Sequence, residues 1–142
     1  MQRQRGFTLL ELLVVLAIIA VSVAGVRLTL RDSQATQLTR EAQRLVAMLE
    51  AARVQSRTRG VPLIWEPSPD GFVIRAATAN PAPLLLPPRT EAWFAAGTQA
   101  SSTQAVVLGP EPILTPMRIT LRMAAQSLTI ATDGLRPFEV QP

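Results

Sequence analysis

From Phe7 to Val26 the chain reads FTLLELLVVLAIIAVSVAGV, twenty residues in which only Thr8, Glu11 and Ser22 carry polar side chains. As an α-helix rising ~1.5 Å per residue, this stretch spans roughly 30 Å, the hydrocarbon thickness of a bilayer. The sequence therefore predicts a membrane-spanning helix, and the rest of the chain must fold as something that hangs from it. A cleaved secretory signal is the competing reading, because Arg3 and Arg5 form a short basic leader. Two features oppose it. The apolar run is longer than a usual signal-peptide core, and Glu11 places a carboxylate inside its first turns.

Charge on the two flanks does not orient the helix, since Arg27 and Arg31 match Arg3 and Arg5. The length of chain on each side breaks the tie. More than a hundred residues without a second apolar run must form the soluble part, so the short leader is the cytoplasmic end. At 142 residues with 48% hydrophobic and 17% charged side chains, the chain has room for one compact body besides the helix.

That body has a restricted chemistry. With no Cys and no His, a disulfide framework, a Cys/His zinc site, a thiol nucleophile and a Ser-His-Asp triad are all excluded. All 14 basic residues are Arg, and their distribution matters more than the net +4. Residues 27–60 carry seven Arg against Asp32, Glu41 and Glu50, whereas residues 61–142 carry five Arg against six acids. The C-terminal part is close to neutral and does not advertise nucleic-acid binding.

Glu11 stands out, since an ionisable group at mid-bilayer costs ~2.5–3.5 kcal/mol on insertion scales. Near the helix start it is favoured by the helix dipole and can reach the headgroups. It can equally serve an ion pair with another subunit. The residues alone leave both open.

The run Arg3-Gln4-Arg5-Gly6-Phe7-Thr8-Leu9-Leu10-Glu11, followed by an apolar helix, resembles the class III signal of type IV pilins and type II secretion pseudopilins. The resemblance implies that a prepilin peptidase cuts between Gly6 and Phe7 and methylates the new amine of Phe7. It also implies that Glu11 acts in assembly, pairing with an N-terminal amine as subunits enter a filament.

Beyond the apolar run, Leu38, Ala42, Leu45, Leu49 and Ala52 recur at alternating steps of four and three, one apolar stripe on a continuing helix. Gln37, Arg40, Gln43, Arg44, Glu50 and Arg57 cover the other faces, with Glu41/Arg44 and Glu50/Arg53 spaced for i,i+3 pairing. Arg57 and Arg59 suit the negative end of the helix dipole, Gly60 suits a left-handed cap, and Pro62 lies beyond it. The predicted helix from about Phe7 to Arg59 is ~80 Å long. Its Arg-rich face reads as a solvated surface ahead of a lipid or DNA contact.

After Pro62 the period changes to two. Leu63-Ile64-Trp65 and Phe72-Val73-Ile74-Arg75 read as a hairpin about the turn Pro67–Gly71. Residues 77–103 read as loop, with Pro81, Pro83, Pro87 and Pro88 excluding a regular ladder around Leu84-Leu85-Leu86. Trp93 and Phe94 are expected to anchor this excursion to the core, or else to form a partner surface. Ala105–Leu108 is a strand, Gly109–Pro112 a turn, and Met117–Met123 a strand whose Met/Ile/Leu face is buried. Ser127–Ala131, the turn Thr132-Asp133-Gly134 and Phe138-Glu139-Val140 close the chain as a last hairpin. Asp70 and Asp133 each precede Gly and are read as turn residues, not catalytic ones.

The expected fold class is therefore α+β: a long N-terminal transmembrane and amphipathic helix against a small antiparallel β-sheet head, pilin-like and with two small sheets. The segments are a leader over 1–6, a transmembrane half over 7–29, an amphipathic half over 30–60, and a head over 61–142 with a Pro-rich loop at 77–103. Arg40 through Ile74 and the terminal Asp133-Gly134-Leu135-Arg136-Pro137-Phe138-Glu139-Val140 are similar to the pseudopilin H family of type II secretion. That resemblance implies a minor pseudopilin anchored once in the bacterial inner membrane with its head in the periplasm. Its partners would be the prepilin peptidase, the major pseudopilin and the tip pseudopilins. It would need no cofactor and would assemble, not catalyse. A minor type IV pilin, acting in pilus assembly or as a DNA receptor for natural transformation, would share leader, helix and head. Arg118, Arg122 and Arg136 are the candidate DNA patch, against which the head's net charge of −1 argues.

Overall fold

The structure, a computed structural model, describes residues 9–77 and 87–141, and over residues 26–32 only the backbone. Helix α1, Leu9–Arg59, carries Glu11 in its first turn and Arg57 and Arg59 in its last. Gly60 then takes φ 66°, a left-handed conformation that costs glycine no Cβ clash and ends the helix where predicted. The described chain divides after Gln34 into two compact units.

In the first unit α1 presents apolar side chains around its circumference, with Leu9, Leu10, Leu13, Ile18 and Val21 all exposed. Ser22 turns its hydroxyl inward to the Ile18 carbonyl at 2.8 Å, so it adds little polarity to that surface. Among the described residues, no helix is long and apolar enough to cross a membrane. The predicted span begins at Phe7 and Thr8, which lie outside the described residues.

The second unit begins at Ala35. Its strands are β1 (Leu63–Ser68), β2 (Gly71–Ala76), β3 (Arg89–Ala92), β4 (Thr98–Ser102), β5 (Val106–Leu108), β6 (Met117–Met123), β7 (Gln126–Thr132) and β8 (Glu139–Gln141). They form two four-stranded sheets, β3-β2-β1-β5 and β4-β6-β7-β8, with every pairing antiparallel. This is the expected pilin-like α+β layout.

The stripe of α1 is buried along its whole predicted length, from Leu38 through Ala42, Leu45 and Leu49 to Ala52, in one core with both sheets. Trp65, Phe72, Leu108, Ile119, Leu121 and Ile130 complete that core, each almost inaccessible to solvent. Burying a Leu or Phe side chain stabilises by ~1.5–3 kcal/mol, so the stripe alone couples the helix to the head by several kcal/mol. Strand β6 keeps its predicted alternation, with Met117, Ile119, Leu121 and Met123 inward and Arg118 and Arg122 outward.

Three expectations are corrected. Strand β1 continues through Pro67 to Ser68, so the turn shrinks to Pro69-Asp70. Strand β5 pairs only with Leu63–Trp65, which leaves Pro67 with a ladder on one side at most. Residues 77–103 are not all loop, because β3 and β4 lie inside that range as outer strands of the two sheets. Their sequences, RTEA and TQASS, have no apolar alternation to betray a strand; the ladders come from β2 and β6 instead. Pro81, Pro83 and the Leu84–Leu86 run of the predicted loop lie outside the described residues. Finally, Trp93 is buried but Phe94 is 81% exposed, so only the first anchors the excursion.

Candidate functional site

Of the residues singled out from the sequence, Gly6 and Phe7 lie outside the described residues. Glu11 sits in the first turn of α1, where the helix dipole favours a carboxylate, and it is exposed among Leu9, Leu10, Leu12 and Leu13.

The candidate DNA patch is not one patch. Arg118 and Arg136 line a shallow groove of about 510 Å³ on the outer face of the second sheet, together with Asp133, Glu139 and Gln141. Arg122 lies four residues further along β6, about 13 Å away, and outside that groove. Asp133 approaches Arg136 at 3.8 Å, and its Oδ1 accepts from the main-chain N–H groups of Leu135 and Arg136 at 2.9 and 2.8 Å. Those amides, Arg136's first, hold the Asp133 carboxyl below its usual range, so the groove keeps a negative charge beside its arginines. The turn role read for Asp133 is thus what it does.

Two polar residues of α1 that the sequence showed only as i,i+3 partners turn out to organise the head. Glu41, 2% exposed, accepts from Arg44 at 2.7 Å and from the main-chain N–H groups of Phe94 and Ala95 at 2.9 and 3.3 Å. Arg44 also donates to Glu91 at 2.9 Å and to the Ala92 carbonyl at 3.0 Å. Its guanidinium carbon lies 3.8 Å from the centre of the Phe94 ring and 5.9 Å from that of Phe72, a cation–π arrangement. Glu91 is further held by Arg89, which above all pushes its carboxyl below the usual range. The result is an exposed aromatic ring with one face stacked on a fixed cation, beside a groove of about 530 Å³ that includes Gln37, Arg40 and Ala96.

Arg53, 4% exposed, does the same nearer the C-terminal end of the helix. It donates to the carbonyls of Arg136 at 3.2 Å, Pro112 at 3.4 Å and Gly134 at 2.9 Å, while Arg57 reaches the Pro112 carbonyl at 2.7 Å. Glu50 accepts from the Phe138 N–H at 2.9 Å. None of these contacts leaves a nucleophile or an acid–base pair poised in a cleft; they place loops, and the described part of the head offers surfaces.

Residues 1–26 match the family described as the prokaryotic N-terminal methylation motif. No curated protein and no solved structure matches the chain. The motif supports a type IV pilin-like or pseudopilin protein, and points to a structural, non-enzymatic role. A leader of this kind implies processing by a prepilin peptidase and assembly of a membrane-anchored subunit into a pilus-like filament.

Proposed function

We propose that the chain is a minor pseudopilin of type II secretion, similar to the pseudopilin H family. As such it is a structural subunit of the short periplasmic filament that helps export folded proteins across the outer membrane. The observation that carries this reading is the methylation motif over residues 1–26 ahead of a helix whose second half closes a two-sheet head. In this reading Arg3 and Arg5 stay cytoplasmic, cutting after Gly6 frees Phe7 for N-methylation, and residues 7–29 span the inner membrane once. The head over 61–142 is periplasmic. Glu11, the one charge in the predicted span from Phe7 to Val26, pairs with the amine of a neighbouring subunit, as the resemblance of its leader to the class III signal implies. Other pseudopilins, major and tip, are the partners.

The alternative, a minor pilin that receives DNA, draws no support from the outer face of the second sheet, where Asp133 and Glu139 share the groove with Arg118 and Arg136. Deleting the chain's gene separates the two. Export of folded substrates should fail, with the substrates held in the periplasm; intact export with lost DNA uptake would reject the secretion reading.

A further inference from the structure

Phe94 is the one exposed aromatic side chain among the described residues, and it is held rigidly. Glu41 accepts from the main-chain N–H groups of Phe94 and Ala95, and the Arg44 guanidinium lies against one face of the ring, 3.8 Å from its centre. The side chain is nonetheless 81% exposed, so the opposite face of the ring is bare. A ring fixed before contact loses little freedom on binding. In the groove beside it the only other apolar side chains are those of Ala95 and Ala96. Gln37 and Arg40 line the same groove, both exposed, and among the described residues neither side chain has a hydrogen-bond or ion-pair partner.

That composition discriminates between ligands. A stable protein contact needs a contiguous apolar core, and one ring beside two alanines is too little of one. Insertion into a lipid surface needs several apolar side chains projecting together, and Phe94 projects alone. A pyranose ring matches what is present. Its axial C–H bonds make one small, weakly positive apolar face, which suits the negative face of an aromatic ring. The hydroxyl groups around that face suit the Gln37 amide, which both donates and accepts. The unmatched guanidinium of Arg40 calls for a carboxylate carried on the sugar. The groove volume, about 530 Å³, falls within the range of small-ligand sites.

We propose that Phe94, Gln37 and Arg40 form a contact for the acidic glycan of the bacterial cell wall, a strand of pyranose rings bearing lactyl and peptide carboxylates. Phe94 stacks on one sugar, Gln37 hydrogen-bonds its hydroxyls and Arg40 pairs with a carboxylate. The proposal rests on the reading of the head as periplasmic, which puts it in the compartment that holds this glycan. One stacked ring with one ion pair makes a weak contact, suited to a subunit that moves along the wall without being arrested by it.

Full-length protein in detergent, mixed with purified insoluble cell-wall sacculi, should sediment with them. Soluble wall fragments bearing carboxylates should compete at least tenfold better than neutral chitin oligosaccharides of equal length. Phe94→Ala should weaken binding about tenfold, the scale of an anchor residue. Phe94→Leu should weaken it as much, because it keeps apolar bulk but loses the flat face, whereas Phe94→Trp should retain it. Arg40→Glu should match Phe94→Ala, while Arg59→Glu, the same charge change at an exposed position outside the groove, should leave binding intact. Phe94 and Arg40 are exposed, so thermal melts of these variants should match that of the parent. Binding that ignores Phe94→Ala, survives Phe94→Leu, yields equally to neutral fragments or falls as far with Arg59→Glu would overturn the proposal. So would absence of sedimentation; retention of a periplasmic protein by the parent but not by Phe94→Ala would then make the surface a protein contact. The periplasmic reading is checked separately, because protease added to spheroplasts should digest the head. A protected head would strike that reading, whatever the isolated protein does with sacculi.

Discussion

The Arg53 guanidinium donates to the carbonyl of Gly134 at 2.9 Å, and with it to those of Pro112 and Arg136, from a position only 4% exposed. Three carbonyls from two loops converge on one side chain that belongs to the helix, and each also accepts from a second donor: Arg57 at Pro112, the Leu114 N–H at Gly134 and the Thr132 hydroxyl at Arg136. Arg53→Met keeps the stem and removes every donor. Because every carbonyl keeps its second donor, the cost is that of the lost charged hydrogen bonds themselves, about 2 kcal/mol in total, a Tm fall of roughly 8 °C by calorimetry. Arg53→Lys should recover only part, because one ammonium cannot reach three divergent acceptors. A Tm unchanged by Arg53→Met would show that the contacts carry no net stability.

Stability should also depend on pH in a defined direction. The carboxyl of Asp133 is lowered by the amides of Arg136 and Leu135, that of Glu91 chiefly by Arg89, and that of Glu66 chiefly by its hydrogen bonds from Arg75. Groups whose folded values lie below their unfolded ones contribute fully above the unfolded value and lose that contribution as pH falls through the folded one. Thermal melts should be level from neutrality to about pH 5 and decline below about pH 4. Asp133→Asn keeps the acceptor but not the charge, so its deficit at pH 7 should shrink as the pH drops below that point. A deficit that stays constant down to strong acid would assign the effect to turn geometry alone.

Processing is the most direct check on the N-terminus. Mass spectrometry of the protein recovered from membranes should find N-methylated Phe7 as the first residue. A chain beginning after Ala20 or Ala24 would identify an ordinary signal peptide. Gly6→Val should block cutting, because a branched side chain would occupy the position where the resemblance implies a small residue.

Glu11→Ala removes a charge from the predicted membrane segment, so insertion should be at least as good as before. Recovery in sheared filaments should fall steeply. Glu11→Leu should behave alike, which distinguishes a lost ion pair from altered helix propensity. Normal filament incorporation by either variant would reduce the carboxylate to a tolerated end-of-helix residue.

For DNA, the expected result is weak binding without a steep salt dependence. A protein that neutralises several phosphates loses ~0.9 log units of affinity per log unit of salt for each one on duplex DNA. Full-length protein in detergent, titrated with duplex DNA across a salt series, should show no such slope. Tight, salt-sensitive binding abolished by Arg118→Ala with Arg122→Ala would favour the DNA-receptor role.

What could be read from the sequence was what repeats. Leu38, Ala42, Leu45, Leu49 and Ala52 declare the buried stripe through their spacing, and Met117 to Met123 declares a half-buried strand through strict alternation. Strands β3 and β4 were illegible because an outer strand takes its ladder from a neighbour: β3 is largely exposed, and the face that β4 turns inward carries only Thr98 and Ala100, too small or polar to mark a strand. Glu41 and Arg53 were visible only as helix-surface pairs for a different reason. Their decisive partners are main-chain groups, the amides of Phe94 and Ala95 and the carbonyls of Pro112, Gly134 and Arg136. Every residue has such groups, so no spacing or residue type marks them. Trp93 and Phe94 illustrate the limit of composition: adjacent aromatics of similar apolarity, one buried and one displayed, divided by where Glu41 fixes the chain.

The paired clamps on α1 have a mechanical consequence. Glu41 and Arg44 grip residues 91–95 near one end of the head's helical segment, and Arg53 and Arg57 grip residues 112–136 near the other. Tension along the axis of that segment loads both grips, and the buried stripe between them, in parallel. They resist as a group in shear, and no single bond can be peeled away first. A head attached in this way transmits a push or a pull on its helix to the whole β body at once, as a piston rod does through a keyed collar.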